Sequence, residues 1–479
     1  MGAVVAFVAA CATSGRDTVQ DPPVEDAGTD ELGGPSIFVA PDGNDNAEGT
    51  SPTTAMRSIQ AAIRRAKVCG GAPCLVKIAA GTYAESVSLY AGVNLFGGYG
   101  RSFEARDAKA NVVRITSNEA RTVVADGLDA LTRVDGVTIA GADFSTASDG
   151  KSSYALWIRA SKAFLALSHS TVAAGKGARG AAGAAGLAGS CTAAGGAGGL
   201  ATDCESAAGG NGNAGGAAVS GGKGGAGGSN NCPSACPLVG GDGISDGQDG
   251  VAGARGANGE AGAVAADGTF KAGEWTSAAG GPGTDGTNGT GGGGGGSGGT
   301  KRFRACFGCD TLLGGRGGNG GQGGCGGGGG QGGRPGGAAI AVLIVDSQPS
   351  FTDGTILGGE GGAGGAGGEG LPGTPAGGMV DAGRQGGGSQ RCGAINYSSG
   401  AGGRGAAGGS GGAGGGGAGG NGGPSIAIGL VGDGARANKF GATTVTSGKG
   451  GAGGAGGASA GAPGAPGKAG AVFGERALQ

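Results

Sequence analysis

One histidine, three methionines, two tryptophans and an aromatic content of 4% leave this 479-residue chain short of the groups that most binding and catalytic chemistry uses. The lone imidazole, His169, excludes a multi-histidine metal centre. Few rings means no run of stacking platforms for nucleobases or sugar faces. Charged residues make up only 14% and the net charge is -2, so there is no basic field to release counterions from a polynucleotide. Proline, at 16 residues, falls far short of the roughly 15 to 20% that a collagen triple helix requires. What is abundant is glycine. With proline it accounts for 147 of 479 residues, above the roughly 25 to 30% at which an aperiodic chain reads as low-complexity. Three ordinary globular cores are excluded by this composition.

Glycine is unevenly distributed: residues 1–174 hold 18 of the 131 and residues 175–479 hold 113. The division this suggests is a leader at 1–11, an acidic linker at 12–35 and a strand-rich part at 36–174. Gly-rich insertions at 175–337 and 358–423 follow, each leading to an apolar stretch at 338–357 and 424–447, with a Gly-rich tail at 448–479.

The leader, MGAVVAFVAAC, is apolar but too short to span a bilayer. Its end, Val8-Ala9-Ala10-Cys11, resembles the bacterial lipobox, in which the cysteine is acylated and becomes the mature amino terminus. The alternatives are a signal peptide cut elsewhere, which also implies export, and an ordinary buried strand. The linker carries Asp17, Asp21, Glu25, Asp26, Asp30 and Glu31 beside Pro22 and Pro23, the composition of a self-repelling tether. Acyl chains on Cys11 plus this tether place the body outside a membrane.

Setting Cys11 aside leaves ten cysteines, an even number suited to an oxidising compartment. Cys69 and Cys74, Cys191 and Cys204, Cys232 and Cys236, and Cys306 and Cys309 are close in sequence; Cys325 and Cys392 remain for a long-range pair. The C-x2-C and C-x3-C spacings at 306–309 and 232–236 also fit zinc half-sites or a redox pair. Disulfides are the expectation, since export exposes thiolates to oxidation.

Between residues 36 and 174, the alternating pairs Val93/Leu95, Val113/Ile115, Val137/Ile139 and Leu156/Ile158 recur every 19 to 24 residues. Units of that length cannot bury their own apolar face and stack on one another, so a solenoid is expected rather than a sandwich with strands every 8 to 12 residues. Ahead of them, Met56, Ile59, Ile63 and Ala66 have helical spacing within Thr54 to Lys67. The expected helix, with Thr53 or Thr54 as amino cap, would cover the first rung.

Four segments carry a family resemblance: Ile37-Phe-Val-Ala-Pro-Asp-Gly-Asn-Asp, Gly49-Thr-Ser-Pro, Ser58-Ile-Gln-Ala-Ala-Ile and Ile78-Ala-Ala-Gly-Thr-Tyr. With Phe96-Gly-Gly-Tyr and Phe103-Glu-Ala-Arg-Asp, they resemble the opening of right-handed parallel β-helix proteins of the pectate-lyase-like superfamily, in the branch found in bacterial surface lipoproteins. The resemblance covers about 36–174. It implies an all-β fold, a right-handed parallel β-helix with an N-terminal capping helix; activity does not follow, because that superfamily spans lyases, hydrolases, adhesins and inert scaffolds.

Three later junctions repeat: Thr171-Val-Ala-Ala-Gly-Lys-Gly, Thr355-Ile-Leu-Gly-Gly-Glu-Gly and Thr444-Val-Thr-Ser-Gly-Lys-Gly. Each follows an apolar island, Ala155-Leu-Trp-Ile, Ile340-Ala-Val-Leu-Ile or Ile426-Ala-Ile-Gly-Leu, and each leads into glycine at every third position. Three rungs are therefore expected to exit at one corner into Gly-rich insertions. Period three is the repeat of an extended left-handed helix whose glycine edge admits a neighbouring backbone. Ordering costs about 1 to 2 kcal/mol per residue, so a polyglycine-II-like bundle and disordered loops both remain open. The tracts also resemble the PGRS-type repeats of bacterial surface proteins.

Candidate chemistry is thin. Asp126, Asp129, Arg133 and Asp135 are expected to be solvated loop charges, and Asp42-Gly-Asn-Asp-Asn a turn rather than a Ca2+ loop, since Ala47 stands where that loop needs glycine. His169 sits between Ser168 and Ser170 without an evident orienting acid. Asp242, Asp246 and Asp249 miss the register of Ca2+-binding β-rolls. The expectation is a lipid-anchored outer-membrane or cell-surface protein with a structural, adhesive or display role, no catalytic residues and no cofactor, Ca2+ being the weak candidate. Its expected partners are the membrane and glycans or other surface components, with no nucleic acid. The alternative is a polysaccharide-active lyase or hydrolase.

Overall fold

The structure is a computed structural model that describes residues 34–67, 74–204, 206–208, 221–234, 243–271, 273–305, 308–378, 388–392, 395–432, 435, 438 and 440–478. Cys11, Cys69, Cys236 and Cys306, with nearly all of the acidic linker, lie outside these residues, as does the side chain of Cys392.

Val113–Thr116 (VRIT) and Val137–Ala140 (VTIA) bury alternate residues, Val113 with Ile115 and Val137 with Ile139. Such strands assemble into three parallel sheets of seven, six and six strands. The chain visits the sheets in a fixed order. Thr132–Asp135 joins the first sheet, Val137–Ala140 the third and Ser153–Lys162 the second, and the next three strands of these sheets, Leu165–Ser168, Thr171–Ala173 and Ala339–Ser347, repeat the cycle. The passage from first to third sheet is a tight turn through one residue of positive φ, Gly136, His169, Asp353 or Ala442 in successive cycles. Inside, Ile115, Ile139, Val172 and Ile356 stack in register and are fully buried, each worth about 1.5 to 3 kcal/mol of apolar transfer. Outside, Arg114, Thr138, Thr171, Thr355 and Thr444 form a polar column.

The described residues are thus mostly β, as expected, with one α-helix among them, but the recurring pairs and the helix cap need correction. The recurring pairs do not mark one position on successive coils. Val113 and Val137 are register partners, whereas Leu95 pairs with Val76 and Val134, and Leu156 with Val123 and Val342. Alternation recurs within a turn because each turn holds three strands. The helix is Ile59–Ala66, capped by Ser58 rather than Thr53 or Thr54; Pro52–Thr54 form a separate 3-10 turn. Ser58 Oγ accepts from Ala61 N-H at 3.3 Å, and the Glu85 carboxylate accepts from Ile59 and Gln60 N-H at 2.7 and 2.9 Å. Those donors are orphans of the first turn, so the helix starts where acceptors exist.

The three apolar islands are strands of the second sheet covered on both faces, which explains why they read as continuous rather than alternating. Ala341, Val342 and Ile344 face the main core, while Ile340, Leu343 and Val345 join Tyr154, Trp157, Phe270 and Ile426 in a second cluster. A hairpin, Thr269–Lys271 with Glu274–Thr276, closes over that cluster. It is held by Trp275 N-H donating to Tyr154 Oη at 2.8 Å. Burial raises the Tyr154 hydroxyl to about 12, so it stays protonated.

The Gly-rich tracts leave after Thr171–Ala173, Thr355–Leu357 and Thr444–Thr446, which are in register. Bridges continue across the junction from Asp143 to Lys176 to Glu360 to Lys449, with charges of alternating sign and N···O distances of 4.0, 3.9 and 3.8 Å. These exposed pairs each contribute well under about 1 kcal/mol; their effect is on register. Beyond them the tracts are ordered as a bundle. Gly177, Gly180, Gly183 and Gly186 N-H donate to Glu360, Ala363, Ala366 and Glu369 O, and Gly361, Gly364, Gly367 and Gly370 donate to Lys449, Ala452, Ala455 and Ala458 O. The interval is three residues on both strands of every such pair.

Position in the bundle sets composition. Segment 247–262 lies at the edge, where its glycines donate to 401–416 and the two residues between them are mostly exposed. Gly291–Gly296 is surrounded and buried throughout. A Cβ at Gly293, Gly294 or Gly295 would overlap the carbonyl oxygen of Lys223, Ala197 or Gly403 respectively, three different neighbours for three successive residues. An interior segment therefore needs all three positions small, and an edge segment needs one.

Two disulfides staple this bundle: Cys191 to Cys325 and Cys204 to Cys232, with Cα atoms 5.3 and 5.6 Å apart. The expected close pairing of Cys191 with Cys204, Cys232 with Cys236 and Cys325 with Cys392 does not occur. Segments 187–193 and 323–328 run side by side, joined by Gly328 N-H to Leu187 O and Gly323 N-H to Ala193 O, which brings Cys325 rather than Cys204 beside Cys191. Cys74 and Cys309 are also disulfide-bonded. With Cys232 and Cys309 in disulfides, neither zinc half-site has both thiolates.

Candidate functional site: a cleft at the turn between two sheets

The turn column that carries Gly136, His169 and Asp353 opens onto a cleft of about 620 Å3. Its floor is the outward threonine column, Thr138, Thr171 and Thr355, and one wall is Arg106 to Lys109 with Val112.

Register brings its central pair together. Ser168 is the parallel partner of Asp135, so the residue after each, His169 and Gly136, begins the turn. Asp135 Oδ2 lies 2.9 Å from His169 Nδ1 and also accepts from Ser168 Oγ; Oδ1 meets the Arg106 guanidinium. Arg106 is itself fixed by Nε donating to Gly97 O at 2.8 Å and by resting over the Phe96 ring at 5.1 Å. Gly136 is required here twice over: its φ is 66°, and a Cβ would collide with the guanidinium. The Asp135 side chain is 9% exposed and that of His169 30%. Burial pushes the Asp135 carboxyl up, but the bonds from His169, Ser168 and Arg106 outweigh it and hold the carboxyl below its ordinary range. An ionised Asp135 accepts from Nδ1-H, which leaves Nε2 on the far edge of a ring that lines the cleft.

This overturns two expectations. Asp135 is a buried, triply bonded carboxylate rather than a solvated loop charge, and His169 has an orienting acid, supplied by the preceding turn of the chain. Asp126 differs: it sits at the surface in a two-point pair with Arg159 at 2.9 and 2.7 Å. The sequence signal was the parallel between Val134-Asp-Gly-Val-Thr, Leu167-Ser-His-Ser-Thr-Val and Phe351-Thr-Asp-Gly-Thr-Ile, which aligns Asp135 with Ser168 and Thr352.

The other acidic candidates are taken up by nearby amides and side chains. Asp45 accepts from Arg57 N-H, Ser58 N-H and Ser58 Oγ at 2.8, 2.8 and 2.9 Å, and Asp42 pairs with Arg101 at 2.7 Å. Asp246 and Asp249 accept from Ala401 and Arg404 N-H at 2.8 and 2.6 Å; Asp242 lies outside the described residues. Among the described residues no group of three His, Cys, Asp or Glu is placed to hold a metal ion, and no helix is long and apolar enough to cross a membrane.

Comparison with known proteins adds no relative: no family model, no curated protein and no solved structure matches this chain.

Proposed function

We propose that this chain is an exported, lipid-anchored bacterial surface protein whose role is structural, adhesive or one of display. In this reading the three sheets close as a right-handed parallel β-helix of the pectate-lyase-like superfamily, and the PGRS-like tracts project from it as a rigid body. Cys11 supplies the anchor and residues 12–35 the spacer. The observation that carries the proposal is the glycine bundle, ordered by backbone bonds at every third residue and stapled by Cys191–Cys325 and Cys204–Cys232. Disulfides of this kind persist outside the reducing cytosol, and a bundle without a hydrophobic core has no evident use other than to hold a shape. Intact mass and non-reducing peptide mapping of the protein from a bacterial host test this. The expected result is a chain beginning at acylated Cys11 with both bundle disulfides formed; an unprocessed chain with free thiols overturns it.

The His169–Asp135 pair favours a second reading, a polysaccharide-active protein. Incubation with polyuronides and neutral glycans, with and without Ca2+, separates the two: turnover lost in His169→Asn supports the enzyme, and binding without turnover supports the adhesin.

A further inference from the structure

The stacked sheets have two ends, and helix Ile59–Ala66 covers one of them. Ile59 and Ile63 are fully buried there with Ile37 and Val39, and Gln60 exchanges side-chain bonds with Ser88 N-H and O at 2.6 and 3.4 Å, closing the edge of Val87–Ser88. At the other end the sheets finish at Phe440–Gly441, Thr444–Thr446 and Val472–Leu478, and among the described residues no strand pairs beyond them. Val445 continues the inward column, yet it is 37% exposed where its partner Ile356 is 1%. Such an edge offers a row of backbone N-H and C=O groups to another strand.

The turns already stacked define what that strand must carry. Phe440, Thr444, Val445 and Lys449 lie in register on Phe351, Thr355, Ile356 and Glu360. A ten-residue span thus sets an apolar side chain first, threonine fifth, an aliphatic side chain sixth and a charge tenth. The tenth position alternates in sign from turn to turn, from Asp143 to Lys176 to Glu360 to Lys449. Lys176 Nζ stands between two carboxylates at 4.0 and 3.9 Å, whereas Lys449, with its side chain 82% exposed, meets Glu360 alone among the described residues.

We propose that this end docks an extended polypeptide segment of a partner protein, added in parallel to the last turn. The segment places an apolar residue over Phe440, an aliphatic one over Val445 and a carboxylate beside Lys449. Backbone bonds supply its affinity and the side chains select it. The charge pair is weak and acts on register: a slip of one residue turns the aliphatic side chain outward and takes the carboxylate away from Lys449. A second copy of the chain is a poorer fit, because one of its ends is closed by the helix and the other repeats the positive charge.

The probe is the chain's own preceding turn, residues 350–361 as a fluorescent peptide, compared with the same peptide carrying E360K. Both are titrated by anisotropy into the full chain at low and high salt. The native peptide is expected to bind, to slow hydrogen exchange at Thr444–Thr446, and to bind roughly fivefold more tightly than the E360K peptide at low salt. That difference should vanish at 1 M salt, where the Debye length is about 3 Å. Lys449→Glu should reverse the preference between the two peptides, a result that mere damage to the edge would not produce. The proposal is overturned if the native peptide leaves those amides unprotected, if the two peptides bind alike at low salt, or if Lys449→Glu weakens both equally. A free chain that sediments as a dimer with Thr444–Thr446 already protected overturns it too, and assigns the end to a second copy. Each of these results leaves the anchoring and display reading untouched, since that rests on the bundle and Cys11.

Discussion

The sheets and the glycine bundle of this protein solve one problem by opposite means. Both run extended segments side by side and bond backbone to backbone between them. In the sheets a large side chain such as Leu156, Ile158 or Ile344 points inward at alternate positions, and apolar burial offsets the entropy of ordering. In the bundle the inward position must be empty, and stability comes from close backbone approach, dense hydrogen bonding and two covalent staples. One region is specified by what its residues add and the other by what they omit.

That contrast can be broken most sharply at Gly294. Gly294→Val places a branched side chain against Ala197 O with backbone on every side, where no flexible group can give way. The expected loss is on the order of 4 kcal/mol or more, beyond the 1 to 3 typical of overpacking, read as a fall in the calorimetric transition; Ala182→Val, on an exposed edge position, should be silent. Equal behaviour of the two variants would mean the bundle is not packed as described. In the sheets the sign reverses, because removal does the damage. Leu156→Ala, at a fully buried site, should cost about 2 to 5 kcal/mol by denaturant titration, whereas a change within about 0.5 kcal/mol would show that the core is loosely filled.

The smallest effect sharpens how the bundle edge is finished. Some backbone N-H groups between the glycines bond to side chains instead of backbone: Thr284, Thr287 and Thr290 accept from Glu260, Ala257 and Ala254 N-H at 2.7, 2.7 and 2.6 Å. Thr287→Val keeps the shape and removes the acceptor, with an expected cost of about 0.5 to 1.5 kcal/mol. Hydrogen exchange at Ala257 should quicken; unchanged protection there would assign the threonines to solubility alone.

Much of this architecture was legible because it rests on local repetition. Thr171, Thr355 and Thr444 could be aligned by their neighbours, and glycine at every third residue announced an extended repeat. The site was harder to read, because apart from the short parallel of the turn motifs Asp135 and His169 meet only through the pairing of Thr132–Asp135 with Leu165–Ser168. Turn lengths vary with each excursion, so no fixed period connects the two. The cysteines failed for a related reason: Cys191 and Cys325 are neighbours across a separation of 134 residues, set by where two glycine segments happen to lie abreast. Asp246 and Asp249 missed the register of a Ca2+ roll, but that they cap the amides of Ala401 and Arg404 depends on a segment 155 residues away.

The three-residue interval of the bundle also limits how such a protein can change over generations. A deletion of one or two residues inside 247–262 would carry every later glycine off its carbonyl and set a methyl or larger group against backbone. Removing or adding a whole triplet preserves the match and merely shortens or lengthens one spoke. The tracts are therefore expected to vary in quanta of three residues, nine bases at a time, so that slippage during replication becomes a means of adjusting reach while the sheets stay as they are.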